Sequence, residues 1–169
     1  EKSRYIKDVH VFNAKGLLMI SKSCNYGLRS AIYLALKKDD TLVSINEISQ
    51  NLGIPFHFLT KTLQLLTQKD LLISTKGPKG GIKLARPAQN ITLMDIVMAI
   101  DGTKVFDTCI LGLPGCGVLN PCPLHDEWSQ AITLMKNTFN TTTIAGLAER
   151  VRSEKLRIAD SNNPEFLDS

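Results

Sequence analysis

The chain has little that would mark an enzyme or a membrane protein. No Ser/His/Asp set, no catalytic carboxylate pair and no Cys-x-x-Cys motif stands out, so catalysis is not expected. GPKGG at 77–81 lacks the Gly-Lys-Ser/Thr ending of a phosphate loop and lies between strand-like runs, not between a strand and a helix. No apolar run approaches the roughly 20 residues that a helix needs to cross a bilayer, so no membrane role is expected. Aromatics are scarce at 6%, with a single tryptophan, Trp128, which leaves the core to aliphatic side chains. There is no internal repeat and no low-complexity block. Nor is there a large surplus of one charge: the net charge is only +4. With no signal-peptide pattern, the four cysteines fit a reducing, cytoplasmic setting better than a disulfide framework.

The basic charge that does exist is concentrated. Between Pro55 and Asn90 stand Lys61, Lys69, Lys76, Lys79, Lys83 and Arg86 against one anion, Asp70, so this stretch carries +5 and the remainder −1. Its pattern is specific. Leu28, Ala31, Ile32, Ala35 and Leu36 recur at helical steps, with Lys37-Lys38 at the negative end of the helix. Ser44-Ile-Asn-Glu47 reads as a capping box opening a second helix at Ile45, which stops at Gly53. Pro55 opens a third helix to about Lys69, with Phe58, Leu59, Leu63 and Leu66 expected on one face. LLISTK at 71–76, GPKGG and IKLAR at 82–86 then read as strand, turn and return strand. A helix-turn-helix followed at once by a hairpin predicts a winged helix. Thr92 caps a further helix over 93–100, ended by Gly102.

The predicted fold is therefore mainly α: a winged helix-turn-helix with a small two-stranded wing, plus a long C-terminal dimerisation helix. The expected units are a winged-helix head at 19–102, a cysteine-rich loop at 103–125, helices at 126–158 and a loose tail at 159–169. Residues 1–18 precede a Met that opens the helical pattern and read as a leader or tag-like extension. Trp128, Ile132, Met135 and Phe139 step by four, three and four, a heptad-like stripe expected to form the dimer seam, the alternative being that it covers the core of its own chain.

A winged helix puts the start of its third helix in the major groove of double-stranded DNA. The candidates for base and phosphate contact are Phe56, His57, Thr60 and Lys61. The wing tip, with Lys76, Pro78 and Lys79, is small and basic enough for the minor groove, and Lys83 follows it on the return strand.

A second kind of chemistry lies in CILGLPGCGVLNPCPLHDEW. Cys109, Cys116, Cys122 and His125 are spaced Cys-x6-Cys-x5-Cys-x2-His. Thiolates bind soft metals, and these gaps are wider than the Cys-x2–4-Cys pairs of structural zinc sites. An iron–sulfur cluster suits them better than a zinc knuckle. On the residues alone His125 reads equally as a surface histidine at a helix start. Cys24 reads as a small packed residue.

NYGLRSAIYLA, LTKTLQLLTQKDLLISTKGPKGGIKLARP and ITLMDIVMAIDG together resemble the Rrf-two family of bacterial regulators, from about Met19 to Val151. The resemblance implies a homodimeric repressor or activator on a near-palindromic operator. It also implies that Cys122 and His125 both ligate, with Cys109 and Cys116, a 2Fe–2S cluster that senses redox state, iron–sulfur status or nitric oxide. Members with a 4Fe–4S cluster use an acidic residue of the partner subunit where this chain has Asn25, a poor ligand, so 2Fe–2S is the expected form and 4Fe–4S the alternative. A clusterless or zinc-bound thiol sensor of the same fold is the competing expectation. Thr60 and Lys76 depart from the residues common at those positions, so no operator sequence carries over. The expected mechanism has the cluster order the 107–122 loop and thereby set the spacing of two reading heads, about 34 Å apart on DNA.

Overall fold

A computed structural model describes residues 20–38 and 40–159. The 1–18 extension and the polar tail beyond Ala159 lie outside the described residues. The elements follow in order: α1 (Lys22–Leu36), α2 (Ile45–Leu52), α3 (Phe56–Gln68), β1 (Leu72–Thr75), β2 (Gly81–Leu84), α4 (Leu93–Ile100), a single turn α5 (Lys104–Asp107), α6 (His125–Thr141) and α7 (Ile144–Glu154). This is the mainly helical winged-helix fold that the sequence predicts.

Local chemistry explains the boundaries. The Ser44 hydroxyl accepts from the Glu47 N–H and starts α2, while Gly53 ends it in the left-handed conformation at φ 65°. Thr92 and Asp95 cap each other reciprocally at the start of α4. Two expected caps differ. The Glu47 carboxylate does not turn back on α2; it accepts from the Tyr33 hydroxyl at 2.9 Å and pairs with Lys37. The carbonyls at the end of α1 are met by Arg152 of α7, which donates to Ala35 and Leu36. Both departures serve tertiary contacts, in which each polar group takes its partner from another helix.

α1 is the central element. It packs on α2, α3, α4, α7 and β2. Its buried residues, Cys24, Gly27, Ser30, Ala31, Tyr33 and Leu34, therefore wrap around the helix, unlike the single stripe read from the sequence. Gly27 lets α3 and α4 approach: a Cβ there would stand 2.5 Å from Ile100 Cδ1 and 3.4 Å from Thr62 Cγ2. Ile48, Leu52, Ile54, Leu59, Leu63, Leu66, Leu72, Ile82, Ile91, Ile96 and Ile144 join α1 in the main core. Each fully buried aliphatic contributes about 1.5–3 kcal/mol.

β1 and β2 pair antiparallel with Leu72 opposite Leu84 and Ser74 opposite Ile82. Val43 adds a one-residue third strand, exchanging hydrogen bonds with Ile82 at 3.0 and 2.8 Å. A second, smaller core holds Cys24 of α1, Val97 of α4, Phe106 of α5 and Ile132 of α6. Trp128, Met135 and Phe139 pack against it. The heptad-like stripe thus covers its own chain. α6 turns a different face outward, on which Ser129, Gln130, Thr133, Leu134 and Asn137 are exposed.

Candidate nucleic-acid interface and metal centre

The reading head is built by α2, the Gly53 turn and α3. Leu59, Leu63 and Leu66 anchor α3, and Thr62 completes the buried face at 1% exposure, its hydroxyl donating to the Phe58 carbonyl. Phe58, expected inside, is 63% exposed. The physical reason is register: Leu59, Leu63 and Leu66 centre the buried face of α3 with Thr62, and at about 3.6 residues per turn Phe58 falls about 90° from that centre, on the flank. Phe56 is also exposed at 44%, and His57 and Lys61 are exposed beside it. Thr60 is half-buried, with its hydroxyl donating to the Phe56 carbonyl at 2.9 Å. The first turn of α3 therefore offers two aromatic rings, an imidazole and, one turn on, an ammonium.

Lys76, Pro78 and Lys79 are all exposed at the wing tip. The turn is closed by a 2.9 Å hydrogen bond from Gly80 N–H to the Gly77 carbonyl, with Gly77 at φ 111°. Lys83 does not join them. Its ammonium pairs with Asp40 at 2.5 Å, on the sheet face opposite the inward-pointing Ile82.

Between α5 and α6 the chain from Thr108 to Leu124 contains no charged residue. Gly112 and Gly115 take φ 67° and 69°, folding it into tight turns. Those turns bring the three distant cysteines together: Cys109, Cys116 and Cys122 offer sulfurs that all lie within 4.8 Å of one another. The Cys109 and Cys122 sulfurs are 3.7 Å apart. The Cys116 sulfur is 3.5 Å from His125 Nδ1. The four side chains line a cavity of about 240 Å³ together with Phe106, Trp128 and Ile132. All four cysteines are free thiols.

The site also prepares a thiolate. Hydrogen bonds from the backbone of Leu113 and Leu111, with help from the Cys116 and Cys122 thiols, hold Cys109 down to about 7 from an ordinary 9.0. Cys116 is raised: the backbone of Cys122 favours its thiolate, but desolvation and the Cys109 and Cys122 sulfurs outweigh that. Cys24 behaves oppositely to Cys109. Fully buried, with its thiol hydrogen-bonded to Asp101, it is pushed up to about 12 by burial first and by that carboxylate second.

This donor set fits a soft metal ion or a metal cluster. Two thiolates ~2.3 Å from a common tetrahedral ion stand ~3.8 Å apart, and a thiolate with an imidazole nitrogen ~3.5 Å apart. The Cys109–Cys122 separation of 3.7 Å and the Cys116–His125 separation of 3.5 Å match those two edges. The three cysteines and His125 named from the sequence and its resemblance line one cavity. Sequence reasoning missed the backbone cradle around Cys109 and the part played by Trp128, whose indole N–H donates to the Thr108 carbonyl at 2.9 Å.

Head and loop together define a winged-helix transcriptional regulator with a thiol site of metal-binding character. Residues 20–150 match the family described as Rrf2: Iron-dependent Transcriptional regulator, and the chain belongs to that family. It is 33% identical over 132 residues to an HTH-type transcriptional regulator of Aquifex aeolicus, covering 77% of this chain and 91% of that one. Among solved structures it is similar to CymR, the global cysteine regulator of B. subtilis, with 26% identity, a TM-score of 0.67, and 79% of this chain and 98% of that one covered. T. potens IscR shares the fold at 20% identity and a TM-score of 0.66, covering 84% of this chain and 93% of that one. These relatives are regulators, in line with a chain in which no catalytic set was expected. No helix among the described residues is long and apolar enough to cross a membrane.

Proposed function

We propose that this regulator binds a two-fold operator as a homodimer, in the cytoplasm, and that an iron–sulfur cluster held by Cys109, Cys116, Cys122 and His125 governs that binding. The observation that carries the cluster reading is the convergence of three sulfurs within 4.8 Å of one another, with His125 Nδ1 3.5 Å from the Cys116 sulfur. The 2Fe–2S form draws on the Cys-x6-Cys-x5-Cys-x2-His spacing and on its resemblance to cluster-binding members of the family. Bound there, such a cluster supplies reversible electron-transfer and ligand-exchange chemistry, with the His125 ligand adding sensitivity to protonation. The protein's own part is to hold an uncharged, glycine-hinged loop against α6 so that the state of the sulfurs is felt by the helix.

On DNA, Phe56, His57, Thr60 and Lys61 face the major groove in this reading, and Phe58 joins them as an apolar contact for a thymine methyl. Lys76, Pro78 and Lys79 enter the minor groove. Lys83, neutralised by Asp40, adds less. The dimer forms through the outer face of α6. From Ser129 to Thr141 every exposed residue of that face is uncharged, and Leu134 is 69% exposed. A helix face meant for water ordinarily carries charge.

The test is anaerobic purification, with a visible spectrum and a count of iron and sulfide per chain. About two of each is expected, with the colour lost in Cys116→Ala. The competing reading, a clusterless thiol sensor or a zinc protein, draws on the 3.7 Å Cys109–Cys122 separation and on the likeness to CymR. Colourless protein with free thiols, or with one zinc per chain, would replace the cluster reading with that one.

A further inference from the structure

The three sulfurs are not held alike. Cys122 is 9% exposed, and its carbonyl accepts from the His125 N–H at 3.0 Å, so the first turn of α6 carries it. Cys116 lies between Gly115 and Gly117, far along the loop from any helix. Cys109 stands just after α5, and two attachments fix its arm. Phe106, 7% exposed, sits in the smaller core and meets Phe139 edge to face at 6.0 Å. The Thr108 carbonyl, one residue before Cys109, accepts from Trp128 Nε1 at 2.9 Å. Trp128 also lines the cavity of the four donors and packs on the core shared by α1, α4, α5 and α6.

We propose that Trp128 is a positioning residue of the thiol site: its indole N–H, by holding the Thr108 carbonyl, sets where the Cys109 sulfur lies, and its ring carries the position of that arm to the core under the reading head. The inference deepens the cluster reading above and rests on it for its regulatory meaning. The latch itself stands on the hydrogen bond and the packing.

The physical argument is one of lever and fulcrum. Indole nitrogen is a donor only, and the Thr108 carbonyl is its partner. The ring's other edge lies against the core whose members include Cys24, two residues into α1, and Val97 of α4. A displacement of the 108–109 backbone must break the hydrogen bond or drag the ring. Close-packed interiors transmit such a drag to neighbouring elements. α1 and α4 both pack on α3, so the affected core adjoins the helix that reads DNA.

Trp128→Phe tests this, since it keeps an aromatic ring in the core and removes only the donor. In reduced, metal-free full-length protein, the rate of N-ethylmaleimide capture is read cysteine by cysteine from peptide masses. Capture at Cys109 should change several-fold, on the order of five, the factor expected from losing one ordinary hydrogen bond. Cys122 should change less than twofold, and the thermal midpoint should fall by only a few degrees. An unchanged Cys109 rate overturns the latch. Equal acceleration at all three sulfurs overturns it too, because that would show a general loosening of the fold. Anaerobic reconstitution with iron and sulfide is the second arm, where the variant should lose its absorbance to a chelator several-fold faster than the native protein. If the native protein takes up no cluster, the cluster reading fails while the alkylation arm still decides the latch.

Discussion

At the scale of single residues, two thiols in one chain are driven in opposite directions. Cys109 is lowered to about 7, chiefly by the backbone of Leu113, and Cys24 is raised to about 12, chiefly by burial. Reactivity follows the thiolate. Alkylation of native Cys109 should therefore show a half-maximal rate near pH 7, while Cys24 stays unmodified at pH 8 until the protein is unfolded. A Cys24 that reacts as fast as Cys109 would contradict the packing described. The linkage has matching signs. A depressed thiol stabilises the fold above its ordinary value of 9.0 and loses that contribution as pH falls through 7. A raised thiol contributes fully below 9.0 and loses its contribution as pH climbs toward 12. Stability measured by urea denaturation should accordingly decline above pH 9 in the native protein and decline less in Cys24→Ala.

At the scale of elements, the wing depends on one close backbone approach. A Cβ on Gly81 would lie 2.7 Å from the Val43 carbonyl oxygen, inside the pair of hydrogen bonds that makes Val43 the third strand. Backbone cannot move aside as a flexible side chain can. Gly81→Ala should therefore cost about 1–3 kcal/mol of stability, as overpacking does, and should weaken operator binding more than it weakens the helical core. Fluorescence anisotropy with a labelled operator, set beside a denaturation curve, separates the two effects. Intact affinity in this variant would mean that the wing is not part of the interface. Helix α6 shows how an element can mislead. Its stripe of Trp128, Ile132, Met135 and Phe139 has the spacing of a coiled-coil seam, yet it packs on Val97, Phe106 and Cys24 of its own chain. Periodicity reports that a face is buried, not what buries it.

At the scale of the whole molecule, α6 joins the thiol loop at its start to the outward face around Leu134 and, through the smaller core, to the head. Placing a charge in that outward face should split a dimer that forms there. Leu134→Lys is expected to elute as a monomer in size-exclusion chromatography with light scattering. It should also lose at least tenfold in operator affinity, since two linked heads bind far more tightly than one. A Leu134→Lys protein that stays dimeric would move the interface elsewhere. The thiol site and the proposed docking face lie on one element: α6 begins at His125 and runs on past Leu134.

The sequence by itself determined which residues carry the chemistry and which elements form. The Ser44 cap, the Gly53 stop, the Thr92–Asp95 capping box and the GPKGG turn are local signals, and each acts within a few residues of where it is written. The three cysteines were legible as unusual donors crowded into one loop, whereas His125 was singled out only by the family resemblance. Only the tertiary structure decided which way faces turn. Phe58 went outward because Leu59, Leu63 and Leu66 centre the buried face of α3; Glu47 left its own helix for Tyr33 and Lys37; and Lys83 was taken by Asp40. The pairing of Cys109 with Cys122 and of Cys116 with His125, and the hold of Trp128 on the Thr108 carbonyl, likewise arise from contacts between segments that sequence order does not bring together. Local signals fix backbone conformation residue by residue, whereas side-chain partners are settled by competition for space across the whole core.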